Sequence, residues 1–158
     1  ALLAAWVISF FEVLIAQVAV LALFLSVVAG LGGNAASQNM TMVVRAIALG
    51  KASPREIWRV LGIQLVVGAL AGIAVGLVVG IGVYFWQGLV ALSLILGLSL
   101  FLNMLVAAVF GTVIPLALDA VDKDPALASS VIITSFTDSL GFLIFLGLAW
   151  IFFPYLSG

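Results

Sequence analysis

The sequence contains 158 residues, of which 66% are hydrophobic and 7% are charged, and its net charge is −1. Because soluble domains carry roughly a quarter charged residues, this composition excludes a soluble globular domain and predicts an all-α integral membrane helical bundle. The pI near 4.9 excludes a nucleic-acid-binding surface, and the absence of cysteine and histidine excludes disulfides, haem ligation by histidine and histidine-dependent catalysis.

Apolar runs divide the chain into predicted transmembrane helices, since about 20 apolar residues cross a bilayer core. Five spans are expected, at about 1–11 (truncated), 13–46, 57–84, 89–118 and 126–152. The first residue already lies inside an apolar run, so we expect the sequence to be a portion of a longer protein. The second span is so long that we expect a kink or break at Gly30, Gly32 and Gly33. The third follows Ser53 and Pro54, which are typical of a helix start.

The basic residues indicate the orientation of these spans. Four of the five lie in or beside the loop between spans two and three, namely Arg45, Lys51, Arg55 and Arg59. The positive-inside rule therefore predicts a cytoplasmic location for that loop. By alternation, the turn "DAVDKDP" at 119–125 is also cytoplasmic and the C-terminus lies outside.

A ridge of glycines follows one face of the predicted third span. Its members recur every four residues, at Gly68, Gly72, Gly76 and Gly80. Small residues at this spacing let another helix backbone approach closely. We therefore assign the ridge to helix packing and give it no role in substrate binding.

Polar residues align along one face of the predicted fifth span. Ser130, Thr134, Thr137, Asp138 and Gly141 fall at i, i+4, i+7, i+8 and i+11. The hydroxyls alone are explained by bonds to their own helix or to neighbouring helices. Asp138 differs, because a carboxylate in mid-membrane costs at least about 2.5–3.5 kcal/mol and usually faces a cavity or an ion path. A protonated, hydrogen-bonded structural aspartate is the alternative.

The predicted second span carries a matching polar stripe, made of Asn34, Ser37 or Gln38, Thr41 and Arg45. If this span ends near residue 46, Asn34 lies about 12 residues, or roughly 18 Å, from the cytoplasmic face. Asp138 lies at a similar depth from Pro125, so the two side chains can meet. A cap or kink role after Gly33 is the alternative for Asn34.

The donor types in these stripes favour a hard cation, because carboxylate, amide and hydroxyl oxygens suit Mg²⁺ or Ca²⁺. One carboxylate per chain only half neutralises a divalent ion. A twofold axis along a pore would supply two, and cyclic dimers are the commonest closed assembly. Composition alone leaves Mg²⁺, Mn²⁺, Co²⁺ and Ca²⁺ open.

Two long stretches carry ordered signatures. The stretch "VVAGLGGNAASQNMTMVVRAIALG" at 27–50 contains GGNxxxQ followed by a basic residue, and "IPLALDAVDKDPALASSVIITSFTDSLGF" at 114–142 contains DPAxASS and TDxxGF. In order and spacing these motifs resemble those of the MgtE-type magnesium channels and their eukaryotic solute-carrier relatives. The resemblance covers nearly the whole chain.

The resemblance implies a homodimer of five-helix protomers, whose second and fifth helices line a Mg²⁺-selective pore on the twofold axis. It implies that Asp138 binds hydrated Mg²⁺ at the pore centre and that Asn34 lines the path. Ser130 and Thr134 fall on pore-facing positions, where family members often have asparagine or alanine. Full-length bacterial members precede this region with a cytosolic acidic domain and paired CBS domains that sense Mg²⁺, and this sequence contains neither.

The leading hypothesis is therefore passive, potential-driven Mg²⁺ permeation by a multi-pass protein of the cell membrane. A Na⁺- or H⁺-coupled exchanger and a broader Mg²⁺, Mn²⁺ and Co²⁺ transporter are the alternatives. An enzyme is not expected, because Ser130 has no nearby base and the spans contain a single aspartate for an aspartyl protease. A purely structural membrane subunit stays open on physical grounds.

Overall fold

The computed structural model describes residues 2–127 and 130–156, and within them all regular structure is helical. The six α-helices are α1 (Leu2–Ser9), α2 (Glu12–Gln17), α3 (Val20–Ala48), α4 (Ile57–Gln87), α5 (Val90–Ala120) and α6 (Ser130–Ile151). Three short 3-10 helices follow the loops, at Pro54–Glu56, Pro125–Leu127 and Phe153–Tyr155. The all-α prediction is thereby confirmed.

Four of the described helices, α3 to α6, are long and apolar enough to cross a bilayer. In hydrocarbon every backbone N–H and C=O must be bonded within the chain, and a helix achieves this within one segment. The predicted first span is represented here by α1, which has 8 residues and packs against α6. Its length of about 12 Å is too short to cross the membrane.

The predicted second span differs from the structure at two places. Residues 12–17 form the separate helix α2, and the long helix α3 begins only at Val20. Of the expected kink or break at Gly30, Gly32 and Gly33, the break is wrong, because α3 is one continuous helix from Val20 to Ala48. Glycine breaks helices mainly where water can bond the exposed backbone, and the membrane interior offers no such competitor.

Helix α5 lies at the centre of the bundle and packs against α3, α4 and α6. It is the most buried of the four long helices, and α4 is the least buried. Helices α3 and α6 also pack against each other, so α3, α5 and α6 form a three-helix core. The largest buried side chains of this core include Phe145, Leu96 and Leu100.

The glycine ridge of α4 faces α5. A Cβ added at Gly76 would lie 2.6 Å from the carbonyl oxygen of Gly97, and one at Gly72 would lie 3.1 Å from Phe101 Cα. Gly68 and Gly80 approach the backbone carbonyls of Met104 and Ser93 in the same way. The two helices therefore meet backbone to backbone, as small-residue interfaces in membranes allow.

Both loops that carry charges lie at the same end of the bundle. The 3-10 helices Pro54–Glu56 and Pro125–Leu127 each pack against α5. The second loop is ordered by a side-chain bond, in which the Ala126 N–H donates to Asp124 Oδ1 at 2.9 Å. At the opposite end α4 stops at Gly88, whose φ of 70° is the left-handed conformation typical of a helix C-terminus.

Candidate ion-binding site

Helices α3 and α6 meet at Gly33, the residue that precedes the polar stripe of α3. A Cβ added at Gly33 would lie 3.3 Å from Thr134 Cγ2 and 3.5 Å from Asp138 Oδ1. Thr134 and Asp138 are both half-buried on α6, and Asn34, the next residue of α3, is exposed. The carboxylate therefore lies close to α3 at Gly33, at the junction of the two helices.

Asp138 has no cationic neighbour in the part of the chain that the structure describes. There the one ion pair joins Arg59 to Glu56 in the polar loop, and no hydrogen bond to the Asp138 carboxylate is found. Within residues 2–127 and 130–156, no group of three or more His, Cys, Asp or Glu side chains could hold a metal ion. Among the described residues of the α3–α6 junction, Asp138 is thus the one carboxylate.

The hydroxyls of α6 bond mainly to their own helix. Thr134 Oγ1 donates to the Val131 carbonyl at 3.2 Å, and Ser135 Oγ donates to the same carbonyl at 2.8 Å. Each hydroxyl oxygen still has lone pairs that can accept from water. Ser130 opens α6, but its side chain lies outside what the structure describes.

The predicted stripe of α6 divides between two environments. Asp138 and Thr134 reach the surface beside α3, whereas Thr137 is 0% exposed and donates to the Thr134 carbonyl at 3.1 Å. Gly141 is also buried and lies against Asn103 of α5. Thr137 and Gly141 therefore belong to the packed interior.

The stripe of α3 remains open along its length. Its exposed members are Asn34, Gln38, Thr41 and Arg45. Thr41 Oγ1 donates to the Ser37 carbonyl at 2.8 Å, so the hydroxyl is locally satisfied. Lipid tails cannot bond the amides of Asn34 and Gln38, and polar side chains at such depth usually face a cavity or another helix.

One polar residue near the site was not singled out from the sequence. Asn103 of α5 is 0% exposed, and its Nδ2 donates to the Val28 carbonyl of α3 at 3.0 Å. Its amide also lies against Gly32 of α3 and Gly141 of α6. The available signal was a lone amide within the apolar fourth span, which membrane helices use to bond one another.

Comparison with known proteins assigns the sequence of this region to a family. Residues 25–148, which run from α3 into α6, match the model of the MgtE family, described as a divalent cation transporter. That range includes every residue of the α3–α6 junction described above.

Three relatives of the chain are named "Magnesium transporter MgtE". The protein of Bacillus subtilis is 32% identical over 146 residues, which are 92% of this chain and 32% of the relative. That of Enterococcus faecalis is 31% identical over 148 residues, covering 94% and 33%. That of Thermus thermophilus is 32% identical over 139 residues, covering 88% and 31%.

The chain thus spans about a third of the length of these relatives. The family match covers well over half of the chain itself and contains the complete α3–α6 junction. The chain belongs to the MgtE family of divalent cation transporters.

Proposed function

We propose that this chain transports Mg²⁺ across the cell membrane, through a pore lined by α3 and α6 in which Asp138 is the ion-binding carboxylate. The observation that carries the proposal is the contact of Gly33 with Asp138 and Thr134, because it sets a mid-membrane carboxylate beside the open polar stripe of α3. Magnesium as the substrate is supported by the names of the three relatives.

The pore forms between two copies of the chain. A single Asp138 neutralises half the charge of a divalent ion, and a twofold axis beside the α3–α6 junction adds the second carboxylate. The same arrangement removes Asn34 and Gln38 from lipid, since the polar stripes of both copies then face a shared aqueous path. Each protomer contributes five membrane helices, with α1 belonging to the first of them.

The ion keeps its water shell as it passes. Mg²⁺ dehydrates reluctantly and prefers a few carboxylates together with water, so one carboxylate from each copy suits a hydrated ion. The side chains of Asn34 and Thr134 line the path and contact this water shell; the same role for Ser130 stays a prediction from the sequence, because its side chain lies outside the described residues. Coulomb attraction to two carboxylates favours divalent over monovalent cations, because the energy scales with the charge of the ion.

The basic loop between α3 and α4 lies in the cytoplasm, by the positive-inside rule. The α5–α6 turn at the same end of the bundle is then cytoplasmic as well, and the residues after α6 lie outside. A negative membrane potential inside drives a divalent cation inward past Asp138 with about 4.6 kcal/mol per 100 mV, twice the value for one charge.

The test is Mg²⁺ uptake into liposomes that contain the purified protein, followed by an enclosed Mg²⁺-sensitive dye under a K⁺ diffusion potential. Asp138→Asn keeps the shape of the side chain and removes its charge, so we expect uptake to fall by at least about tenfold. Asp119→Asn removes another carboxylate, at the end of α5, and is the matched control with unchanged uptake. Equal uptake by Asp138→Asn and the unmodified protein, both correctly folded, would defeat the proposal.

The same liposomes separate a pore from an exchanger. With no Na⁺ or pH gradient present, a pore still takes up Mg²⁺ when the potential is applied. Uptake that appears only with a Na⁺ or H⁺ gradient would replace the pore by coupled exchange at the same site. Competition by Mn²⁺ and Co²⁺ in this assay measures how selective the site is for Mg²⁺.

A further inference from the structure

Asn103 is a buried amide that contacts both helices of the proposed ion site from behind. Its Nδ2 donates to the Val28 carbonyl of α3, and its Oδ1 has no hydrogen-bond partner among the described residues. A buried amide oxygen without a hydrogen-bond partner destabilises the folded protein by about 1–3 kcal/mol, and this cost is larger in a membrane interior, where no water can bond it. A leucine, which has the same branched shape, would avoid that cost.

Two glycines leave room for this amide, one on each neighbouring helix. A Cβ added at Gly141 would lie 2.7 Å from Asn103 Nδ2 and 3.1 Å from its Oδ1. A Cβ at Gly32 would overlap the same amide. The side chain of Asn103 therefore fixes how closely α5 approaches both α3 and α6 at this level.

This level is adjacent to the ion site. Gly32 precedes Gly33, whose Cβ position is 3.5 Å from Asp138 Oδ1. Gly141 follows Asp138 by three residues, which is less than one turn of α6. A shift of either helix at Asn103 must therefore change the distance between the α3 backbone and the Asp138 carboxylate.

We propose that Asn103 is a positioning residue of the ion site: by bonding α3 and packing between Gly32 and Gly141, it sets the spacing of α3 and α6 at which Gly33 contacts Asp138. It does so without touching the ion, since it is fully buried behind both helices. The inference rests on the proposed function only for its effect on Mg²⁺, and the helix spacing itself can be measured independently.

The test compares Asn103→Leu with Ser99→Ala. Leucine retains the branched shape of asparagine and removes the bond to Val28, so the helices lose their polar connection without a cavity. Ser99 is a matched control, because it is also 0% exposed on α5 but donates only to the Ile95 carbonyl of its own helix. We expect Asn103→Leu to raise the half-saturating Mg²⁺ concentration by at least about threefold, and Ser99→Ala to leave it unchanged.

A merely structural role would give a different result. Loss of folded protein lowers the maximal rate but leaves the half-saturating concentration of the remaining molecules unchanged. A lowered maximal rate alone in Asn103→Leu would therefore overturn the proposal.

A second measurement reports the helices without using transport. The chain contains no cysteine, so nitroxide labels at Leu49→Cys and Val131→Cys, both exposed, report the distance between the end of α3 and the start of α6. Labelled protein is diluted with unlabelled protein to suppress distances between copies. We expect Asn103→Leu to shift or broaden this distance distribution and Ser99→Ala to retain it; an unchanged distribution in Asn103→Leu would contradict the proposal.

The two readouts fail separately. If the unmodified protein moves no Mg²⁺ but Asn103→Leu still shifts the label distance, the proposed function fails and the spacing role survives. If Asn103→Leu does not fold, Gly141→Ala applies the same test from α6, with Gly147→Ala as its control because no atom lies within 4 Å of the added Cβ. A Gly141→Ala protein with unchanged half-saturation and unchanged label distance would then overturn the inference.

Discussion

At Gly33 the missing side chain leaves room for α6 beside Thr134 and Asp138. A Cβ at Gly33 would press against Thr134 Cγ2, at 3.3 Å, and would make an ordinary contact with Asp138 Oδ1, at 3.5 Å; the exposed Asn34 is the next residue of α3. Ion selectivity depends on the positions of such oxygens to within fractions of an ångström. The residue between the two stripes is therefore part of the site although it has no polar side chain.

Gly33→Ala tests this contact at its smallest scale. The added methyl would lie 3.3 Å from Thr134 Cγ2, so the Thr134 side chain must shift slightly, whereas its distance of 3.5 Å from Asp138 Oδ1 is an ordinary contact. We expect Mg²⁺ uptake to fall by at least about threefold, because small displacements of a positioned ligand weaken ion binding. The control is Gly30→Ala on the same helix, where nothing lies within 4 Å. Equal loss of uptake in both variants would show a general effect of alanine in α3 and contradict this account.

Asp138 could be identified from the sequence because an acidic residue within an apolar helix is rare and costly. Thr137 occupied the same predicted stripe, yet it is fully buried, since one residue along a helix turns the side chain by about 100°. Which of two neighbouring residues faces the interior depends on the helix packed against them. The role of Asn103 could not be predicted for the same reason. A polar residue in one helix does not indicate which other helices pack against it.

At the scale of helices, α4 and α5 form a pair joined by backbone contact. The predicted spans 57–84 and 89–118 overlap these helices along almost their whole length, since uninterrupted apolar runs define helices well in membranes. The second predicted span was less successful. The backbone leaves the helix only at Val18 and Ala19, which are both apolar, so the hydropathy of these two residues carried no signal of the interruption.

Gly76→Ala tests the α4–α5 pair. Its Cβ would lie 2.6 Å from the Gly97 carbonyl oxygen, an atom that cannot move without shifting the helix. We expect a loss of unfolding free energy of about 1–3 kcal/mol, as for other overpacked interfaces. The measurement is reversible unfolding in mixed detergent micelles.

The control for that prediction is Gly62→Ala, also on α4. Nothing lies within 4 Å of the added Cβ, so the variant removes only the flexibility of glycine. We expect it to be neutral or to gain up to about 1 kcal/mol. If Gly76→Ala were as stable as Gly62→Ala, close approach of the two backbones would have no energetic role.

At the scale of the whole molecule, most charged residues lie in or beside the two loops at one end of the bundle, and the exceptions are Glu12 and Asp138. The loops after α3 and after α5 both pack against α5 at that end, while Gly88 marks the other. This segregation makes orientation testable with single cysteines, because the natural chain has none. We expect Leu49→Cys and Val121→Cys to react with a membrane-impermeant maleimide only after cells are opened. Gln87→Cys should react from outside, and labelling of all three positions from one side would contradict the proposed topology.

Helix α4, the least buried of the four long helices, should tolerate substitutions on its outer side better than on its inner side. On its outer side α4 exposes Val66, Leu70, Ile73 and Leu77, where the packing of the chain restricts side-chain size less. On its inner side Gly68, Gly72 and Gly76 admit no larger residue unless α5 moves. If the chain is mutated at random and folded variants are selected, we therefore expect varied apolar residues on the outer side of α4. The glycines at every fourth position of its inner side should remain unchanged.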